Sequence, residues 1–324
     1  MEPFAYWRAG SVAEALAHAR EQPGARFLAG GTELVNWLKD GIVAPSALID
    51  ISRLDLARVT LNGDRLRIGA LARLGDLASH ELVRRHAMPL AAAIEQAASP
   101  AIRASGTLAG NLLQRTRCPY FRGGGPCNKR FPSSGCGARA GDHRAAAVLG
   151  ISDRCIATHP SDPAVALVAQ GAELIVEGRS GRRSLAVEAL YPMAPEDPRR
   201  DLALAPDELV TEVSIPLDPL LQRGGYRKVR DRASYDFALV SAAALGRIED
   251  GKLGTVRLAL GGVAPGPWRC RTAERILAGR TADEGSIREA MTSELAAATP
   301  LPDNRFKIEL AIRAATGVLR ELSR

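Results

Sequence analysis

Apolar positions recur at helical spacing from Val12 through Ala15, Leu16 and Ala19, directly after an S-x-x-E pair, Ser11 and Glu14. That order is a capping box opening an amphipathic helix, which Pro23 and Gly24 end. Arg26 to Ala29 then reads as a short buried strand, Gly30-Gly31-Thr32 as a turn, Glu33 to Lys39 as a helix and Ala47 to Ile51 as the next strand. Arg65 to Ala70 alternates as a strand, and Gly75 to Ala98 is helical with a break near His86 to Pro89. Further on, Ser161 caps a helix over Pro163 to Gln170, with proline in its first turn. Glu173 to Val176 and Arg183 to Val187 form a hairpin about Gly178 to Gly181, and Glu208 to Ile215 is another strand. Periodicity lapses over Pro216 to Gly225, which marks a boundary between domains at 1–220 and 221–324. The second domain opens with the strand-rich YRKVRDRASYDFALVSAAALGRI and a hairpin through Glu249 to Gly254. Helices follow over Thr272 to Ala278, Glu284 to Ala298 and Arg305 to Ser323.

One stretch has no such pattern. Residues 105–162 hold Cys118, Cys127, Cys136 and Cys155 in the order C-x8-C-x8-C-x18-C, among Gly, Pro and Ser. Structureless connections beyond about 12 to 15 residues are uncommon in compact domains unless they are functional or disordered, and recurring cysteines argue for a cross-link. Two disulfides, a structural zinc and an iron–sulfur cluster are the candidates. Disulfide frameworks belong mainly to small secreted domains short of a core, and zinc ligands usually come in close C-x2-4-C pairs, absent here. A cubane takes one thiolate per iron and suits widely spread ligands, so the spacing leans towards iron–sulfur chemistry.

Composition narrows the rest. With 324 residues, 46% hydrophobic and 24% charged, the chain has ample core material. The formal charge of +7 comes mostly from Arg. Neither a block of five like charges nor a basic stripe interleaved with aromatics points to nucleic acid. No apolar run approaches the ~18 residues of a membrane span, and MEPFAYWRAG lacks the regions of an export signal. The five histidines show no ligand spacing. There is no G-x-S-x-G elbow and no P-loop, and Cys270 in WRCR reads as an inert, half-buried thiol. His143 and His159 flank the cysteine loop and read as ordinary loop polar contacts.

LAGGTELV, TLAGNL, GNLLQRTRCPYF, PCNKR, SGC and CIATHPSDPAVAL together resemble the flavin-binding subunits of the molybdenum hydroxylases, over essentially the whole chain. Within that family the resemblance is to the subgroup with a cysteine loop, seen in the FAD and iron–sulfur subunits of periplasmic aldehyde oxidoreductases. It implies an α+β fold: a two-part FAD-binding domain of the PCMH type, with a [4Fe-4S] loop at about residues 116–157, followed by an antiparallel-sheet-plus-helices domain.

By the same resemblance Cys118, Cys127, Cys136 and Cys155 ligate the cluster, and Ala29, Gly30, Gly31, Thr32 and Glu33 contact the FAD pyrophosphate. Gly106, Thr107, Gly110, Asn111 and Gln114 lie along the flavin. Asp162 hydrogen-bonds its ribose or adenine end, Lys228 meets its phosphates, and Tyr235 and Asp236 reach the isoalloxazine ring. Read without the family, Gly-Gly-Thr is a plain turn, Asp162 a carboxylate on a helix dipole, and Lys228 part of a solvated strand face. The implied activity is electron transfer. A small [2Fe-2S] subunit would deliver electrons from aldehyde oxidation on a large molybdenum-cofactor subunit of the heterotrimer, and an external acceptor would receive them. A stand-alone FAD oxidase, a relative acting on hydroxybenzoyl-CoA or an N-heterocycle, and a zinc or nucleic-acid module are the alternatives. The implied location is the periplasm, reached by co-export of the folded complex on a partner's twin-arginine signal, with the cytoplasm as the alternative.

Overall fold

The structure is a computed structural model that describes residues 1–194, 196–221 and 223–322. Ser323, the last residue of the expected final helix, lies outside them, as does Gln222 in the expected domain boundary.

Among the described residues three sheets organise the fold. The first is parallel, with Ala47–Asp50 between Ala5–Arg8 and Arg26–Leu28. The helix Val12–Glu21 buries Ala15 and Leu16 in the same small core as Ile49, and Ser11 caps it by accepting the Glu14 N–H at 3.1 Å. The Glu14 carboxylate takes the Gly10 amide, one residue before the cap, rather than closing the box on Ser11. Ala5–Arg8 is a strand that the sequence pattern did not reveal; it is mostly exposed and exists by pairing with the fully buried Ala47–Asp50.

The second sheet is antiparallel, in the order Val59–Asn62, Arg65–Gly69, Leu209–Pro216, Glu173–Gly178, Gly181–Ala186. Its central strand is therefore drawn from far along the chain. The edge strand Val59–Asn62, short and mostly exposed, also escaped the sequence pattern. Helices Leu74–Ser79, Met88–Gln96 and Asp162–Ala169 share its core.

The third sheet runs Trp268–Arg269, Lys252–Gly261, Val240–Glu249, Arg223–Val229, all antiparallel. Successive side chains of a strand point to opposite faces. Ala242 and Ala244 accordingly join the core beneath Arg271–Leu277, Glu284–Glu294 and Phe306–Glu321, while Ala243 and Leu245 join the core of the second sheet. A sheet covered on both faces explains the unbroken apolar run AAAL at 242–245. It also fixes the two domains against each other. Among the described residues no helix is long and apolar enough to cross a membrane.

Candidate functional site

The two glycine-bearing turns come together although they lie far apart in sequence. A Cβ on Gly30 would stand 1.9 Å from the Ser105 carbonyl oxygen, and one on Gly106 would stand 3.5 Å from Thr32 Oγ1. Gly31 adopts φ +72°, a conformation that favours glycine. The turns thus pack backbone to backbone, and no side chain fits at Gly30. Among the described residues the N–H groups of Gly30, Gly31, Thr32 and Glu33 are donated to no protein acceptor. Free amides of that kind suit an anionic ligand.

These turns wall an open cleft of about 950 Å³, at the upper end of the roughly 300–1,000 Å³ usual for ligand sites. Ala29, Gly30, Gly31, Thr32, Glu33, Thr107 and Gly110 line it, and residues 199–206 and 208–210 supply a further wall. Arg26, Arg115, Arg199 and Arg200 bring positive charge to it. Burial, then the neighbouring Arg115, lowers the Arg26 pKa.

Gly106, Asn111 and Gln114 stand behind this lining. Asn111 Oδ1 accepts the Ser161 hydroxyl at 2.6 Å, and Gln114 Oε1 accepts Arg117 Nη2 at 2.9 Å. Asp162 and Lys228 are absent from the cleft lining. They pair with each other at 2.8 Å, only 5% and 1% exposed, and Tyr226 Oη donates to the same carboxylate at 2.5 Å. Burial pushes the Asp162 carboxyl up against the pull of Lys228 and Tyr226. Lys228 is therefore no solvated strand residue. Tyr235 is exposed with φ +52°, and its neighbour Asp236 accepts the Phe237 N–H at 2.9 Å.

The cysteine loop forms a second site. Cys118, Cys127, Cys136 and Cys155 all line one small cavity of about 100 Å³, with Tyr120 and Lys129 beside them. All four thiols are free. Among the described residues no group of three or more His, Cys, Asp or Glu side chains is gathered tightly enough to hold a single metal ion. Burial raises the Cys118 and Cys155 thiols, with Lys129 opposing at Cys155. The backbone is shaped for these positions: Cys127 and Cys136 face each other in an antiparallel bridge, and the Cys127 N–H donates to Ser134 Oγ at 2.9 Å. Tyr120 is the post of the loop, since its hydroxyl accepts the Asp142 N–H at 2.9 Å and a Cβ on Gly141 would collide with it at 1.9 Å. From the other domain Lys307 donates to the carbonyls of Ala145, Ala146 and Gly262 at 2.8–2.9 Å.

The histidines beside this loop are occupied by backbone. His143 bonds the Gly141 carbonyl and accepts the Asp303 N–H, and His159 Nε2 lies 3.1 Å from the Gln114 carbonyl. Burial lowers the His159 pKa to about 4, so the ring is neutral at pH 7. With the proton assigned to Nε2, Nδ1 is left to accept the Ser161 N–H at 3.4 Å. Cys270 is fully buried, and burial raises its thiol well above the usual range, in keeping with an inert role.

Residues 2–218 match the family described as the FAD binding domain in molybdopterin dehydrogenase. The chain belongs to this family. Residues 225–322 match the CO dehydrogenase flavoprotein C-terminal domain. The chain is 44% identical over 326 residues to the aldehyde oxidoreductase FAD-binding subunit PaoB of Escherichia coli, covering 99% of this chain and 98% of that protein. It is 25% identical over 319 residues to the carbon monoxide dehydrogenase medium chain of Afipia carboxidovorans, covering 98% and 94%. In fold it follows the solved carbon monoxide dehydrogenase of Hydrogenophaga pseudoflava, with a TM-score of 0.78 at 24% identity over 100% of this chain and 99% of that one. As a family member it is a flavoprotein subunit of the oxidoreductase class, and the α+β, two-domain architecture is the one expected. The free turn amides, with Arg26 and Arg200 in the cleft lining, fit the FAD diphosphate.

The sequence reading missed Arg26, Arg115, Arg199, Arg200 and Asp201 as parts of the cleft. Asp201 receives Arg115 across 86 positions of sequence, and nothing in the spacing of either residue signals the meeting.

Proposed function

We propose that this chain is the FAD- and [4Fe-4S]-carrying electron-transfer subunit of a molybdenum-dependent aldehyde oxidoreductase. It would take electrons from a small [2Fe-2S] partner, with substrate oxidised on a large molybdenum-cofactor subunit, and pass them to an external acceptor. The observation that carries the reading is the 44% identity, across essentially the full length of both chains, to the E. coli aldehyde oxidoreductase FAD-binding subunit. Convergence of four thiols on one cavity supports the cluster, since a cubane needs one thiolate at each iron corner.

When bound, the flavin supplies redox chemistry in one- or two-electron steps, and the protein supplies placement and electrostatics. The turn at Ala29 to Glu33 offers backbone N–H groups to the diphosphate. Thr107 and Gly110 line the same cleft, and Arg26 and Arg115 supply positive charge at its wall. Cys118, Cys127, Cys136 and Cys155 would hold the cluster. Substrate chemistry is assigned to the partner because the chain's relatives are FAD-binding or medium chains of such oxidoreductases. Assembly would take place before export, and the folded complex would reach the periplasm on a twin-arginine signal carried by a partner.

Anaerobic mixing tests the assignment. An aromatic aldehyde should leave the flavin of the isolated chain oxidised and should bleach that of the whole complex. Prompt bleaching in the isolated chain would instead establish a stand-alone oxidase. Location is tested by fractionation: an intact complex found only in the cytoplasm, with no such signal on any partner, would exclude export.

A further inference from the structure

Two carboxylates from separate walls of the cleft are held by cations of a single segment. Glu33 ends the first glycine turn, and Asp201 belongs to the wall at 199–206. Arg117 and Arg122 reach Glu33 at 2.7 and 2.6 Å, and the Arg115 N–H donates to it at 3.3 Å. The Arg115 and Lys129 side chains both bond Asp201, and Lys129 Nζ also donates to the Pro198 carbonyl at 2.8 Å. All four cations lie between 115 and 129, the arm that carries Cys118 and Cys127. Arg115 is itself part of the cleft wall, and its guanidinium lies 4.5 Å from the Phe121 ring centroid on the loop's first helical turn.

These pairs differ from the surface ion pairs of the same molecule. Glu33 and Asp201 side chains are 13% and 16% exposed, and their cations 10% to 30%. Arg288 and Glu309, paired on the surface, are 46% and 43% exposed. Screening by water and salt is weaker at the first set, and their geometry is correspondingly more decisive. Burial disfavours the Glu33 anion, yet Arg117 and Arg122 outweigh it and hold its pKa below the usual value.

We propose that Glu33 and Asp201 are positioning residues that fasten the cysteine loop to two walls of the flavin cleft, so that the order of the loop sets how tightly FAD is held. By linkage FAD in turn orders the loop. The inference rests on reading the cleft as the FAD site. It assigns the loop a role at the flavin whether or not its cluster lies on the electron path.

The sign of the effect separates positioning from simple charge. Asp201→Asn and Glu33→Gln each remove a negative charge near an anionic diphosphate, so a purely electrostatic role would tighten FAD. Positioning predicts the reverse, a dissociation constant raised by about ten-fold or more, the size of one charge-assisted hydrogen bond. The measurement is FAD fluorescence quenching on the full chain, with Glu309→Gln as the surface-pair control at wild-type affinity. Asp201→Glu, which keeps the charge, should recover most of the loss. Lys129→Gln combined with Asp201→Asn should be little worse than Asp201→Asn alone, because both break the Lys129–Asp201 contact. A second readout is alkylation of the loop thiols in iron-free chain: FAD should slow it in wild type, and Asp201→Asn should speed it. Unchanged or tighter FAD binding in Asp201→Asn, or additive losses in the double variant, would overturn the inference while leaving the FAD site intact. A wild-type chain that bound no FAD would overturn the site itself, and the inference with it.

Discussion

The flavin cleft and the cysteine cavity are neighbours, with Arg115 lining the first and Thr116 the second, yet they are built by opposite means. The cleft is made of backbone. Its two glycine turns are carried on short regular elements, and the groups it offers a ligand are free amides whose positions follow once Gly30 lies against Ser105. The cavity is made of side chains on irregular backbone, positioned by contacts from elsewhere: Tyr120 within the loop, Lys307 from the last helix, and Glu33 and Asp201 from the cleft. A backbone site depends on the side chains around it only as far as they hold the backbone in place, and it fails when the backbone moves. A side-chain site fails one residue at a time.

Cysteine substitution should give the largest contrast. If the proposed cluster is bound, Cys136→Ser should lose its iron, whereas Cys270→Ser should keep it, because Cys270 is buried in the C-terminal core. Iron per chain and the visible shoulder of the cluster measure this. Full iron in Cys136→Ser would dismantle the picture of a site built residue by residue.

Lys228→Met comes next, since it strands the buried Asp162 carboxylate, and breaking such a pair costs about 3–5 kcal/mol. Denaturant unfolding should show the loss, and adding Asp162→Asn should restore much of it. No recovery in the double variant would mean that Lys228 acts through packing alone.

His159 gives a pH dependence. Its folded pKa, about 4, lies below the ordinary 6.5, so the unfolded chain binds the extra proton between those values. Stability from this residue is complete above pH 6.5 and is lost as pH falls towards 4, by on the order of 3 kcal/mol. His159→Gln should flatten that part of the stability profile. An unaltered slope would assign it to other groups.

Gly30→Ala should have the smallest energetic effect of the four and the most selective consequence. Its Cβ must displace the Ser105 carbonyl, an overpacking cost of about 1–3 kcal/mol. Because both turns shift, FAD should be lost while the iron stays. Retention of wild-type FAD affinity would break the claim that the cleft depends on backbone contact.

Local signals made much of this molecule legible in its sequence. The Ser11 and Ser161 caps, the helix spacing after each, and the alternation of Arg65 to Ala70 all act within a few residues. The exposed strands Ala5–Arg8 and Val59–Asn62 were not legible, because their pairing partners, and not their own pattern, make them strands. The glycine turns stood out only through their family resemblance, and their mutual contact stood out not at all.

The sequence by itself determined the kind of chemistry: thiols at four loop positions, glycines where backbone must bend or approach, and apolar runs long enough for sheets buried on both faces. Tertiary structure decided which charges meet. Lys228 reads as one cation on a charged strand and is sealed against Asp162; Glu33 is expected at the FAD pyrophosphate and Asp201 gives no signal, yet both carboxylates pair with cations of the cysteine loop. The reason is physical. Helix caps and turns are set by interactions within a few residues, so composition and spacing carry them. An ion pair depends on the burial of both partners and on distance in space, and these exist only once the three sheets have packed.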